Sequence, residues 1–248
     1  MKVKEAVGEI LQNQNWQVNI SIYLLIVLSS WIVGFFVEDI NALGAVLIIT
    51  TFALAIAATF LTFGYNIATL RNYMLKRNPF LPDWIANFKE ILSFSAKAYA
   101  GMFLYSLIYL ALISLVPFML SLILKSPVFM ILVVMYSILV IVAVLAFMYM
   151  LPAMLIYFCT NPKVRSCFNI GQANKIIEQD RKNYTKVFLR VSLWTFIASF
   201  FATLFSKIMI LKLIFTAMTA FVALISSVLY GNYFRTILEE HKKRQLVV

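Results

Sequence analysis

Long apolar runs alternate along this chain with short polar connections. The runs cover residues 18–37, 43–70, 99–124, 128–158, 187–205 and 210–234. Crossing a bilayer takes about 20 mostly apolar residues in a helix, and each run is close to or beyond that length. Each is also too long and too uniformly apolar for a strand. In lipid the backbone polar groups must be satisfied within the segment, which selects helix. Residues 128–158 would make a helix of about 46 Å at about 1.5 Å per residue, against a hydrocarbon layer of about 30 Å. That run has to tilt or bend, and Pro152 lacks the N–H of a regular turn, so a bend is expected near Met148–Pro152.

Three further segments have helical periodicity but are too polar to span. Residues 3–16 place Val3, Val7, Ile10 and Leu11 on one face, and residues 83–97 gather Trp84, Phe88, Ile91 and Leu92. Residues 164–182 carry Val164, Cys167 and Phe168 near one stripe, with Ile176 and Ile177 further on. Such segments lie in the head-group layer with the apolar side down, or pack on the ends of the bundle. Both readings stay open at this level. The expected fold is all-α: a polytopic membrane bundle of about six spans with amphipathic helices on one side, forming one membrane domain over residues 1–248.

The distribution of charge gives that bundle a direction. Of the 21 Lys and Arg, 18 fall in the N-terminal segment, the 71–97 and 163–190 connections and the C-terminal segment. The opposite turns hold only Lys125, Lys207 and Lys212. The positive-inside rule then puts both termini in the cytoplasm of a multi-pass protein of the cell membrane, and an odd number of spans would spoil the separation. Residues 1–16 lack a continuous apolar core and no small-residue cleavage site follows, so the first run is expected to remain as an anchor rather than act as a signal peptide.

Composition agrees: 63% of residues are hydrophobic, 12% are charged, and mean hydropathy is +0.91. The net charge of +11 would raise nucleic acid in a soluble protein. Here the cations sit between apolar runs, so the expected contacts are anionic lipid head groups, with no nucleic acid. Candidate contacts of that kind are Arg71, Lys76, Arg77, Trp84, Lys97, Lys163, Arg165, Arg181 and Lys182.

Chemistry is sparse. The one histidine, His241, stands in a charged tail and reads as a solvated end. Cys159 and Cys167 lack the spacing and neighbours of a metal site, and at a cytoplasmic boundary they are expected to stay reduced. The glycines are isolated, with no phosphate-binding loop. No acidic residue falls inside a run; Glu38 and Asp39 sit at a turn, which argues against a carboxylate proton relay. Lys207 and Lys212 flank the last far-side turn and read first as snorkelling cations, with a solute contact as the alternative. Ala55, Thr59 and Thr62 read as a small-residue packing face. Neither a cofactor nor a metal is expected. A span, a basic stretch and a second span recur at 43–124 and 128–205, with Lys97-Ala98-Tyr99 and Lys182-Asn183-Tyr184 each before re-entry, which suggests duplication.

The series Gly64-Tyr65, Arg71, Leu81-Pro82-Asp83-Trp84, Glu90-Ile91-Leu92 and Lys97-Ala98 resembles a family of bacterial and archaeal membrane proteins, domain of unknown function 4013. Asn15-Trp16, Pro117 and Leu151-Pro152-Ala153 extend the resemblance over most of the chain, while Asn78 and Ser95 stand where the family usually has Gly. The resemblance implies an architecture and no activity. In the same segment Pro79 and Pro82 stop the preceding helix, Asp83 is placed to cap the next one, and Trp84 suits the head-group layer.

Two functions follow as expectations. The first is a non-enzymatic membrane protein: a scaffold or an accessory subunit for a membrane-protein partner or a second copy of itself. The second is a transporter or permease subunit for a small apolar or anionic solute, resting on the duplication and on Lys207 and Lys212.

Overall fold

A computed structural model describes the backbone of residues 1–35, 43–123, 127–205 and 208–245. Eight α-helices and one 3-10 turn account for nearly all of it, with no strand among the described residues. In order they are α1 (Val3–Gln12), α2 (Trp16–Phe35), α3 (Leu43–Met74), α4 (Phe88–Ile123), α5 (Pro127–Thr160), the 3-10 turn Val164–Phe168, α6 (Ile170–Gln179), α7 (Arg181–Leu204) and α8 (Met209–Gln245). Over its described residues each of the six apolar runs lies within one helix, save Phe205, which caps α7. Four stretches among the described residues are long and apolar enough to cross a membrane: Ile49–Met74, Val134–Thr160, Arg181–Leu204 and Met209–Glu239. The turn containing Glu38 and Asp39, and also Lys125 and Lys207, lies outside the described residues, as does the His241 side chain.

The three amphipathic segments depart from their expected form. Residues 83–97 are not a separate helix: α4 starts at Phe88 and runs on to Ile123, so residues 88–97 are its opening turns. Residues 164–182 are broken twice by caps. Asn169 leaves helical geometry and accepts from the Gln172 N–H at 3.1 Å, opening α6. Asp180 accepts from the Asn183 N–H at 3.2 Å, so α7 begins at Arg181, six residues ahead of its apolar run. α1 ends at Gln12, and a left-handed Asn15 turns the chain into α2. Ala6 and Ile10 of α1 are fully buried against the protein, whereas Leu11 is exposed. For this segment, packing on the bundle prevails over lying in the head-group layer.

The chain divides into two compact units, Met1–Ala96 with Glu178–Val248, and Lys97–Ile177. In the first unit α8 is the central element, contacted by α1, α2, α3 and α7. Leu224 and Val228, one turn apart on α8, are fully buried, and Gly231 one turn further on admits α3. A Cβ on Gly231 would stand 2.9 Å from Tyr73 Cδ1. Lipid is as apolar as the side chains it would displace, so such helices associate through close packing and buried hydrogen bonds rather than through exclusion of water. Small residues at crossings are therefore where sequence sets geometry. Thr59 and Thr62, expected on a packing face, donate to the Ala55 and Ala58 carbonyls of their own helix at 2.7 Å; Thr59 is exposed and Thr62 is buried.

The second unit builds its core from the end of α5 and the segment after it. Ala153, Ile156, Phe158 and Cys159 are buried together with Cys167, Ala173 and Ile176. α5 continues through Pro152 to Thr160, although proline cannot donate to the Met148 carbonyl. Gly101 of α4 lies against the 3-10 turn, where a Cβ would fall 2.7 Å from Cys167 Cβ, and Tyr105 donates to the Cys167 carbonyl at 3.2 Å. Burial pushes the Cys167 thiol up to about 11. Thiolate is the reactive form, so maleimide should label Cys167 slowly in the folded protein near pH 7 and faster as pH rises toward 11. Dissolving the protein in SDS should bring labelling to the rate of an ordinary thiol. Labelling that is already fast and independent of pH in mild detergent would contradict this packing.

Candidate functional site: the connection after α3 and the α7–α8 seam

The polar residues of the family-like segment converge where α3 ends and α4 begins. α3 is closed by a left-handed Lys76, φ 55°. The Arg77 N–H reaches the Asn72 carbonyl at 3.0 Å and the Lys76 N–H reaches Tyr73 at 3.2 Å, the paired bonds of a Schellman cap. The helix thus stops before the prolines are reached. Asp83 then accepts from the N–H groups of Ile85 and Ala86 at 2.9 and 2.8 Å, while Asn87 accepts from the Asp83 N–H. That closed turn delivers the chain to α4.

Two carboxylates hold the cations of this connection. Glu90 takes Arg71 at 2.7 Å and lies 3.8 Å from Arg77. The Arg71 guanidinium also sits 5.3 Å from the centre of the Phe94 ring, a cation–π distance. Glu239 near the end of α8 takes Lys76 at 2.7 Å and Arg235 at 3.2 Å. These bridges are partly exposed, so each contributes little by itself. Together they tie the connection to α4 and α8.

Beneath them lies an aromatic stack. Trp84 lies flat on Tyr65, 4.4 Å between centroids and 9° between planes, and Tyr65 meets Tyr23 at 5.5 Å. The Trp84 indole N–H donates to the Asn19 carbonyl at 3.0 Å. The Asn66 amide donates to the Tyr23 hydroxyl at 3.0 Å, and that hydroxyl donates to the Ala220 carbonyl at 3.2 Å. Tyr65 OH, Asn66 Oδ1 and Thr69 Oγ1 are buried on α3 without a partner. Further back along α3, Ser95 donates to the Phe60 carbonyl at 2.6 Å, and Gly64 lies so close to α4 that a Cβ there would overlap Ser95 Oγ and the Ile91 carbonyl.

Of the residues read as lipid-facing, Lys163, Arg165, Arg181 and Lys182 are exposed. Arg71 is half-buried and paired, Lys76 and Arg77 are exposed at their carboxylates, and Lys97 is half-buried. Trp84 differs: with 5% exposure it faces Tyr65 and α2, because its indole finds a stacking partner and an acceptor inside the protein. Lys212 is half-buried on α8, its N–H bonded to the Ile208 carbonyl at 2.9 Å. Among the described residues, no three His, Cys, Asp or Glu side chains gather as metal ligands.

A second polar feature was not singled out from the sequence. Between α7 and α8 lies a recess of ≈ 260 Å³ lined by Asp180, Asn183, Lys186, Arg190, Asn232 and Tyr233 among others. The Asp180 carboxylate is occupied in capping, with Asn183 Nδ2 at 2.6 Å, and Arg190 donates to the Met1 carbonyl at 3.1 Å. The signal lay in the spacing of Lys186, Arg190 and Trp194, four residues apart and hence on one face, once α7 is known to start at Arg181.

Four helices long and apolar enough to cross a membrane, with no strand among the described residues, mark this as a membrane-embedded helical protein. The chain matches the protein family of unknown function DUF4013 over residues 43–207, most of its length, and belongs to that family. No curated protein and no solved structure matches it.

Proposed function

We propose that this protein is a six-span subunit of the cell membrane, with both termini and the 71–97 and 163–190 connections in the cytoplasm, that acts without catalysis as a scaffold or accessory partner of another membrane protein or of a second copy. One observation carries the reading: Arg71, Asp83, Trp84 and Glu90 of the family-like segment are engaged in internal bonds, while α7 keeps a continuous apolar stripe on its outside. Leu189, Leu193, Phe196, Phe200 and Leu204, spaced by three or four residues, are all more than half exposed. Such a stripe takes lipid or a partner helix. The alternative is a transporter subunit for a small apolar or anionic solute. It draws support from the unpartnered Tyr65, Asn66 and Thr69 atoms along α3, which would suit a polar path.

Topology is tested with cysteines introduced at the exposed Lys89 and Lys175. A membrane-impermeant maleimide should spare both in intact cells and label both in inverted vesicles; labelling from opposite sides would remove the orientation. For the role, a photo-crosslinking residue at Phe196 or Phe200 should give one discrete protein adduct in native membranes. Lipid adducts alone at both positions would sink the subunit reading.

A further inference from the structure

The recess beside Lys186 and Arg190 has an apolar neighbour. A second recess of ≈ 170 Å³ lies along the same seam, lined by Val191, Trp194, Phe221, Val222 and Ile225 with almost no polar surface. Leu229 lines both, so the two adjoin at that residue. On α7 the transition is carried by one row: Lys186, Arg190 and Trp194, about 12 Å from first to last at about 1.5 Å per residue. Two cations thus stand beside one recess and an apolar recess adjoins it along the seam, on a helix of spanning length. The acidic residue at the polar end, Asp180, has both carboxylate oxygens engaged by Asn183. Arg190 offers five donor N–H bonds in all and spends one on Met1.

We infer that the α7–α8 seam binds one anionic phospholipid, its phosphate between Lys186 and Arg190 and the upper part of an acyl chain against Trp194, Phe221 and Ile225. Guanidinium and ammonium donors match phosphate oxygens, and the adjoining apolar recess distinguishes a lipid from a soluble phosphate ester. Asn232 at the polar end adds a neutral amide suited to the glycerol or head-group hydroxyls. Neither Lys186 nor Arg190 belongs to the glutamate-held clusters that close the connection after α3.

The test uses the full chain in nanodiscs of phosphatidylcholine with small fractions of brominated lipid. Bromine quenches nearby tryptophan, and the Trp194 signal is obtained as the difference from Trp194→Phe. Brominated phosphatidylglycerol should quench Trp194 at roughly one twenty-fifth of the mole fraction needed for brominated phosphatidylcholine, since each of the two cations is worth on the order of fivefold toward anionic lipid. Lys186→Gln with Arg190→Gln should abolish the preference, and Lys186→Arg with Arg190→Lys should keep it, which separates charge from folding. Equal quenching by both lipids in the unaltered protein would overturn the site, as would displacement of brominated phosphatidylglycerol by millimolar inorganic phosphate. The site rests on the membrane placement proposed above. Loss of the preference with cysteine labelling as expected would sink the site alone, whereas reversed labelling would sink the orientation and leave the quenching result standing.

Discussion

Gly64→Ala should lower the midpoint of thermal unfolding in detergent by about 10 °C, on the order of 3 kcal/mol at about 2–4 °C per kcal/mol for a chain of this size. The direction is not obvious, because alanine in a helix interior is favoured over glycine by about 1 kcal/mol. The crossing decides it. An added methyl would overlap both Ser95 Oγ and the Ile91 carbonyl, and the carbonyl is backbone that cannot rotate away. α3 and α4 would have to separate, taking the Ser95–Phe60 bond with them. Gly64→Ala combined with Ser95→Gly should recover only part of the loss, since the Ile91 carbonyl remains. Circular dichroism on the purified variants reads both numbers. A Gly64→Ala protein as stable as the parent would mean that the helices do not approach this closely.

Trp84→Ala should cost about as much or more, in the range of about 3–5 kcal/mol for removal of a buried aromatic. Three things go at once: the stack on Tyr65, the indole bond to Asn19, and the volume that keeps the turn after Pro82 seated on α2. Trp84→Phe keeps most of the stack and loses the bond, for about 1 kcal/mol. The local consequence can be read separately from global stability. With the turn unseated, Lys76 and Arg77 should become trypsin sites cut several-fold faster in Trp84→Ala, and near the parent rate in Trp84→Phe. An alanine variant cut no faster than the parent would place Trp84 at the lipid surface, where its loss leaves the connection intact.

These two residues also mark the limit of reading the chain from its sequence. Gly64 and Trp84 both stand in the family-like segment, and amphipathic character alone suits Trp84 to the head-group layer. That character only says that one end of an indole is apolar and the other can donate a hydrogen bond. A carbonyl at the end of an interfacial helix and a carbonyl on α2 satisfy it equally, and the choice of Asn19 is made by how α2, α3 and the turn pack. Lys76 is similar. Nothing in the local pattern favours a left-handed lysine, and the prolines offered a sufficient reason for the helix to end. The Schellman bonds to Tyr73 and Asn72, with Glu239 of α8 waiting for the ammonium group, are tertiary facts.

The six apolar runs, their helical form and the gathering of cations into a few connections were determined by the sequence itself. Each depends on a property summed over twenty or more residues, and a bilayer leaves a hydrophobic segment little choice but helix. The tertiary structure decided where α7 starts, that α1 packs on the protein, which cations are held by Glu90 and Glu239, and that Lys186, Arg190 and Trp194 share one seam with α8. Those outcomes turn on contacts between residues distant in sequence, each involving a few atoms, and hydropathy averaged along the chain carries no record of them.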